Sequence, residues 1–251
     1  MKKSERTIKL DIAYDGTDFF GWQVQKKERT VQGVMQEALR TMHGRDVPLV
    51  GSGRTDSGVH AAGQVAHFKS ELDSVPADRF APALNSYLPL DVKVLNSSEA
   101  SADFHARYSA SRRVYRYYLY PSPLCPPYIQ RYVCQIKKNL DIAALNEMAA
   151  VLIGEHDFNA FAAAGEDEKT TVRTIFAASF FASGPYLVFH IAANGFLRKM
   201  VRAILGTLLE LEQNNGGASD VEGILHSRQR ERAGTTAPAS GLFLHQVDYN
   251  G

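Results

Sequence analysis

Ten consecutive residues, Gly51 to His60 (GSGRTDSGVH), collect an arginine, an aspartate, a histidine, three glycines and three hydroxyl side chains around a single apolar residue. A carboxylate on such a loop can act as a nucleophile or as a general base. Arg54, two residues before Asp56, has the planar fork of donors that fits a phosphate. Glycines let the backbone take positive φ and let a ligand approach closely. The same residues also fit a glycine-rich hairpin in which Asp56 caps its own turn. That second reading leaves the arginine and the histidine without a purpose.

The elements around the loop are legible from periodicity. Val47, Leu49 and Val50 lead in, and Gln64 to Phe68 alternate on the way out, which predicts strands near 46–51 and 63–69. Pro48 marks the first as an edge strand or a strand start. Thr7 to Tyr14 alternates as a strand. Val31, Val34, Met35, Ala38, Leu39 and Met42 recur at helical spacing, with Thr30 as N-cap and Gly44 just past the end. A helix over Asp78–Tyr87 and a strand around Val92 and Val94 complete the order β-α-β-β-α-β.

The second half repeats that order. Ser111 to Tyr120 reads as a strand. Asp141 caps a helix carrying Ile142, Leu145, Met148, Ala149 and Leu152 that Gly154 ends. Arg173–Ser183 and Tyr186–Ala192 pair as a hairpin across Ser183-Gly184-Pro185. Phe196 to Leu211 reads as a periodic helix, a short helix begins near Asp220, and Leu242 to Tyr249 closes as a strand. The predicted class is α+β: two ferredoxin-like (RRM-like) halves, residues 1–103 and 104–251, with a ligand cleft between them.

The predicted helix from Phe196 carries Arg198 and Arg202 four residues apart, hence on one face. An arginine in so apolar a helix needs a partner, because an unpaired buried charge is costly. Asp56 is one candidate; the alternatives are solvent and phosphate. From Phe104 to Lys138 there is no acidic residue. That interval interleaves Arg107, Arg112, Arg113, Arg116 and Arg131 with Tyr108, Tyr115, Tyr117, Tyr118, Tyr120, Tyr128 and Tyr132. Cations neutralise phosphates and aromatic rings stack on bases, so the interval is a candidate RNA surface, as well as a tyrosine-rich strand with a solvated basic face. Gln25–Arg29, with Lys26 and Lys27, is a short polar, basic loop.

Other features read as structural. Gly154-Glu155-His156-Asp157-Phe158 lacks the spaced histidines of a zinc site, and His60, His67, Asp15-Gly16 and Gly21-Trp22-Gln23 are accounted for by turns and packing. No phosphate-binding loop or dinucleotide fingerprint is present, which points to chemistry without a cofactor. The 251 residues carry a formal net charge of +1, so any RNA surface is local. Two cysteines, Cys125 and Cys134, are too few for a disulfide framework. No run of about 18 apolar residues spans a membrane and no apolar signal core opens the chain. Those features suit the cytoplasm.

Taken together, Gly53-Arg54-Thr55-Asp56 with Gly58-Val59-His60-Ala61 resembles the signature of the tRNA pseudouridine synthase A (TruA) family. Tyr14-Asp15-Gly16-Thr17, Phe20-Gly21-Trp22-Gln23, Thr30-Val31-Gln32-Gly33, Phe104-His105-Ala106-Arg107, Tyr115-Arg116-Tyr117, Phe196 to Arg202 and Ala237-Pro238-Ala239 with Gly241-Leu242 follow in family order. The likeness covers nearly the whole chain. It implies isomerisation of uridine to pseudouridine at positions 38, 39 and 40 of the tRNA anticodon arm, by a homodimer without metal or organic cofactor. It also implies Asp56 as nucleophile, attacking either the ribose anomeric carbon or the base. Tyr115 would stack on the flipped uracil, Arg202 pair with Asp56, Leu242 pack on the base, and Arg54 hold the nucleotide out of its stack. Lys26, Lys27, Arg107, Arg112, Arg113 and Arg198 would contact the RNA backbone. A non-catalytic pair of RRM-like units would have no use for Asp56, and a glycosidase would need a second carboxylate.

Overall fold

Alternating burial sets the first strand. In β1 (Arg6–Tyr14) the side chains of Ile8, Leu10, Ile12 and Tyr14 point into the core. The computed structural model describes residues 5–163 and 170–250. It divides into two compact units, Met1–Ser111 with Leu244–Gly251, and Arg112–Phe243.

In the first unit, α1 (Val31–His43) starts and stops where its caps dictate. Thr30 Oγ1 accepts the Gly33 amide at 3.3 Å, and Gly44, at φ 68°, returns its amide to Arg40 O. Met35 and Leu39 of this helix are fully buried, each worth about 1.5–3 kcal/mol in apolar burial. Then follow β2 (Val50–Gly51), β3 (His60–Ser70), a 3₁₀ turn at Ala77–Arg79 running into α2 (Phe80–Asn85), and β4 (Val92–Ala100). The sheet order is β4-β1-β3, with β2 on β3, and these three pairings are antiparallel. The register Ile8↔Phe68, Leu10↔Ala66 and Ile12↔Gln64 aligns the apolar faces, so a slip of one residue would turn them outward.

The chain continues through β5 (Ala110–Pro121), β6 (Cys134–Ile136), α3 (Ile142–Ala150), β7 (Gly154–Asp157), β8 (Val172–Ser183), β9 (Tyr186–Ala193), α4 (Met200–Gln213), α5 (Ala218–Ser227) and β10 (Leu242–Tyr249). In the second unit the sheet order is β5-β9-β8-β7, antiparallel throughout, with β6 added parallel to β5. The β8–β9 hairpin closes with Ser183 opposite Tyr186, across Gly184 at φ 57°. Helix α3 docks on this sheet through one side chain: Asn146 Nδ2 donates to Phe180 O at 3.0 Å and its Oδ1 accepts Phe180 N at 2.7 Å. Both units are mixed α+β with mostly antiparallel sheets.

Four predicted boundaries are corrected. The strand expected over 46–51 is only Val50–Gly51, since Pro48 lacks an amide for the ladder; Val47 and Leu49 are buried without being paired as strand. Strand β3 starts at His60, earlier than 63. Helix α3 ends at Ala150, and Gly154, at φ 114°, opens β7 instead of ending the helix. Helix α4 starts at Met200, four residues later than expected, because Lys199 sits in the left-handed region at φ 62° and breaks the turn before it.

Candidate active site

The loop between β2 and β3 is fixed at both flanks by buried polar groups. On the entry side Ser52 N donates to Val65 O at 2.7 Å and Ser52 Oγ to Gln64 Oε1 at 2.6 Å. Gln64, fully buried, also accepts Val65 N at 3.1 Å and donates to Gly53 O at 3.1 Å. One amide side chain thus bonds three groups at the entry to the loop. At the centre the Tyr14 hydroxyl and Thr55 Oγ1 share a hydrogen bond of 2.8 Å. Burial pushes the Tyr14 phenol far above its ordinary range, only partly offset by hydrogen bonds from Thr55 and Gln64, so it stays neutral and protonated. On the exit side Val59 N donates to Asp56 O at 3.1 Å, closing a turn that holds Gly58 at φ 77°. Arg54 is exposed and Asp56 half-buried on this frame.

A second segment, Asp15 to Trp22, walls the loop from behind. Gly58 N and Ser57 Oγ both donate to Phe19 O at 3.2 Å, and Trp22 N donates to Thr55 O at 3.1 Å. Gly21, at φ 81°, has no room for a side chain: a Cβ there would lie 2.5 Å from Thr55 O. Gly16 donates its amide to Nδ1 of the fully buried His60 at 3.0 Å, and Asp15 Oδ1 lies 3.2 Å from the same nitrogen. Thr17 ties its amide and hydroxyl to Asp15 Oδ1 at 3.0 and 2.6 Å.

In the second unit, Tyr115 lies on β5 opposite Ile191 and is buried, its ring meeting Phe196 edge-on at 5.1 Å. Arg202, on α4, donates Nε to Ala237 O at 2.8 Å, and Ala237 N returns a bond to Arg202 O at 3.0 Å. The segment that follows is strapped to β5. Tyr117 donates its hydroxyl to Pro238 O at 2.8 Å, Tyr118 N donates to Gly241 O at 2.8 Å, and a Cβ on Gly241 would strike the Tyr117 ring. Leu242 then enters its strand buried. Segment 237–242 therefore links Arg202 on the helix to the tyrosine strand, and carries Leu242 with it. Arg198 lies in the exposed turn before α4, so it and Arg202 do not share a helical face as expected.

The remaining sequence candidates scatter. Lys26 and Lys27 form the exposed tip of a two-residue turn between Gln25 and Glu28. At its base Arg29 pairs with Asp91 at 2.8 Å and covers the Phe19 ring at 3.9 Å. Arg107 is exposed. Arg112 and Arg113 are half-buried at the start of β5, Arg113 Nη1 donating to Asn194 O at 2.7 Å. Tyr14 and Gln64 were missed as site residues. The available signal was a glutamine in the apolar run Val65-Ala66-His67-Phe68 that follows it. Among the described residues no group of three or more His, Cys, Asp or Glu could hold a metal, and no helix is long and apolar enough to cross a membrane. Cys125 and Cys134 are half-buried free thiols, and burial pushes the Cys134 thiol up.

The first unit thus presents Arg54 and Asp56 on a buried polar frame, and the second carries Tyr115 on a strand and Arg202 on a helix. A family model described as tRNA pseudouridine synthase matches residues 12–109 and 148–250. The chain is 46% identical over 254 residues to the tRNA pseudouridine synthase A of Treponema denticola, covering 99% of this chain and 95% of that one. It is 46% identical to that of Halalkalibacterium halodurans (95% and 90% covered) and 42% identical to that of Ruminiclostridium cellulolyticum (97% and 100% covered). The chain belongs to the tRNA pseudouridine synthase family and is an isomerase.

Proposed function

We propose that this protein converts uridine to pseudouridine at positions 38, 39 and 40 of the tRNA anticodon arm, with Asp56 as nucleophile. The observation that carries the reading is the frame around Asp56: Tyr14, Gln64, Phe19 and Trp22 hold the loop on every side in a chain of this family. A nucleophile fixed before substrate arrives has less orientational freedom to lose at the transition state.

The reaction moves one bond. Asp56 forms a bond either to the ribose anomeric carbon, displacing uracil through N1, or to the uracil ring. In both routes the N1–C1′ bond breaks and the base turns. Carbon 5 then bonds to C1′, releasing the carboxylate, while the C5 proton is lost and N1 gains one. Tyr115 stacks on the uracil and assists loss of the C5 proton. Arg202 pairs with Asp56 and orients its carboxylate. Leu242 packs on the base and Arg54 holds the nucleotide unstacked. In this reading residues 1–103 supply the aspartate loop, and 104–251 the tyrosine, the helix arginine and Leu242. Each of the two parts is a ferredoxin-like half. Lys26, Lys27, Arg107, Arg112, Arg113 and Arg198 contact phosphates without reading sequence, which suits an enzyme acting on neighbouring positions. The enzyme works as a cytoplasmic homodimer without metal or organic cofactor.

The test is tritium release from tRNA labelled at C5 of uridine. Wild type should release label from all three positions. Asp56→Asn should bind tRNA and release none. Tight binding by wild type with no release would instead make this a non-catalytic RNA-binding protein.

A further inference from the structure

One aromatic cluster of the first unit has no part in the chemistry above. In the turn after Phe104, the His105 imidazole caps its own chain: Nδ1 accepts the amides of both Arg107 and Tyr108 at 3.2 Å. Ser109 closes the turn, its amide donating to His105 O at 2.9 Å and its Oγ accepting His105 N at 3.1 Å. The turn is bolted to the unit through Ala106, whose amide donates to His67 Nδ1 at 3.1 Å and whose carbonyl accepts the Tyr249 hydroxyl at 2.8 Å. The product is a rigid outward-facing pair. The Tyr108 ring stacks on His105 at 4.3 Å and 28°, yet the residue is 77% exposed. The Arg107 guanidinium sits 5.8 Å from the Tyr108 centroid.

We propose that this turn is a stacking platform for one unpaired base of the bound RNA, with Tyr108 carrying the base and Arg107 the adjacent phosphate. The inference rests on the tRNA reading above and adds to it a binding subsite away from Asp56's own loop. An exposed tyrosine gains little from packing, and here its backbone and its inner face are already immobilised. Little ordering is left for a ligand to pay, and a flat π-face is offered to any base regardless of sequence. The charge fits RNA and disfavours an acidic protein segment less cleanly: a stacked aromatic beside a cation, at the head of an interval without acidic residues, matches a base joined to a phosphate.

The experiment measures tRNA affinity against salt concentration by filter binding for wild type, Tyr108→Ala, Tyr108→Phe and Arg107→Gln. Tyr108→Ala should weaken binding roughly 5- to 150-fold, with the slope of log affinity on log salt unchanged. Tyr108→Phe should bind within about twofold of wild type, because the ring does the stacking. Arg107→Gln should lower the slope by about one. Unchanged affinity in Tyr108→Ala overturns the platform while leaving the enzyme reading intact. The same holds if Tyr108→Phe is weakened as much as Tyr108→Ala. Failure of wild type to bind tRNA would overturn the reading on which the platform rests. Because Tyr108 is so exposed, its variants should melt with wild type, and matching melting curves tie any change to the ligand.

Discussion

The Tyr14 hydroxyl lies 2.8 Å from Thr55 Oγ1, joining the end of β1 to the residue before Asp56 across 41 positions of chain. Both partners are buried and the phenol is held neutral. Tyr14→Phe keeps the ring and strands the threonine hydroxyl. It should cost about 1–2 kcal/mol of stability, read as a lower urea midpoint. Turnover in the tritium assay should fall more than tRNA affinity does. A variant that loses stability but keeps its turnover would make the bond a matter of folding alone.

Two glycines near the aspartate make opposite predictions. A Cβ on Gly16 would overlap the Val59 carbonyl, whereas a Cβ on Gly53 meets nothing within 4 Å. Gly16→Ala should therefore destabilise by about 3 kcal/mol. Gly53→Ala should stay within about 0.5 kcal/mol of wild type in denaturant melts. Reduced turnover of Gly53→Ala at full stability would mark the point where the RNA backbone approaches the loop.

Lys199, ahead of α4, carries a side chain at φ 62°. Replacing it with glycine removes the penalty of that conformation, and Lys199→Gly should raise stability by about 1 kcal/mol, seen as a higher melting temperature. Were melting unchanged, the lysine would have to be gaining as much from its surroundings as its backbone loses.

His67 has its pKa lowered to about 4, mainly by burial and then by the neighbouring His105 and Lys69. An unfolded histidine titrates near 6.5, so between about 6.5 and 4 the unfolded chain binds the extra proton. Stability contributed by neutral His67 is complete above about pH 6.5 and declines as pH falls toward 4. After solvent screening the loss should be about 1–2 kcal/mol. Urea melts at pH 7, 6 and 5 should show it, and His67→Asn should flatten that part of the profile.

Local signals carried much of the fold. Thr30 and Gly44 bracket α1 as read, and the turn at Gly184 closes the β8–β9 hairpin as read, because caps and tight turns are decided by adjacent residues. Where tertiary structure decides, the reading failed. The apolar spacing of Phe196-Leu197-Arg198-Lys199-Met200 continues that of α4, but the backbone turns left-handed at Lys199 and the first residues stay outside the helix. Strands β6 and β7 are three and four residues long, too short to show a period. The aspartate loop itself was found from composition. Its supports were not, because Tyr14 and Gln64 look like ordinary strand residues until β1 and β3 are paired, with Ile12 opposite Gln64.

Gly16, Gly21 and Gly51 each sit where a side chain would collide with the facing segment: the Val59 carbonyl, the Thr55 carbonyl and the Trp22 indole. The segments 15–22 and 51–59 are therefore shaped to each other like two halves of a clasp. Grafting the GRTD loop alone onto another scaffold, or diversifying it alone in a library, would leave that clasp unfastened. The transferable unit is the pair, and changes in one segment are tolerated only with answering changes in the other.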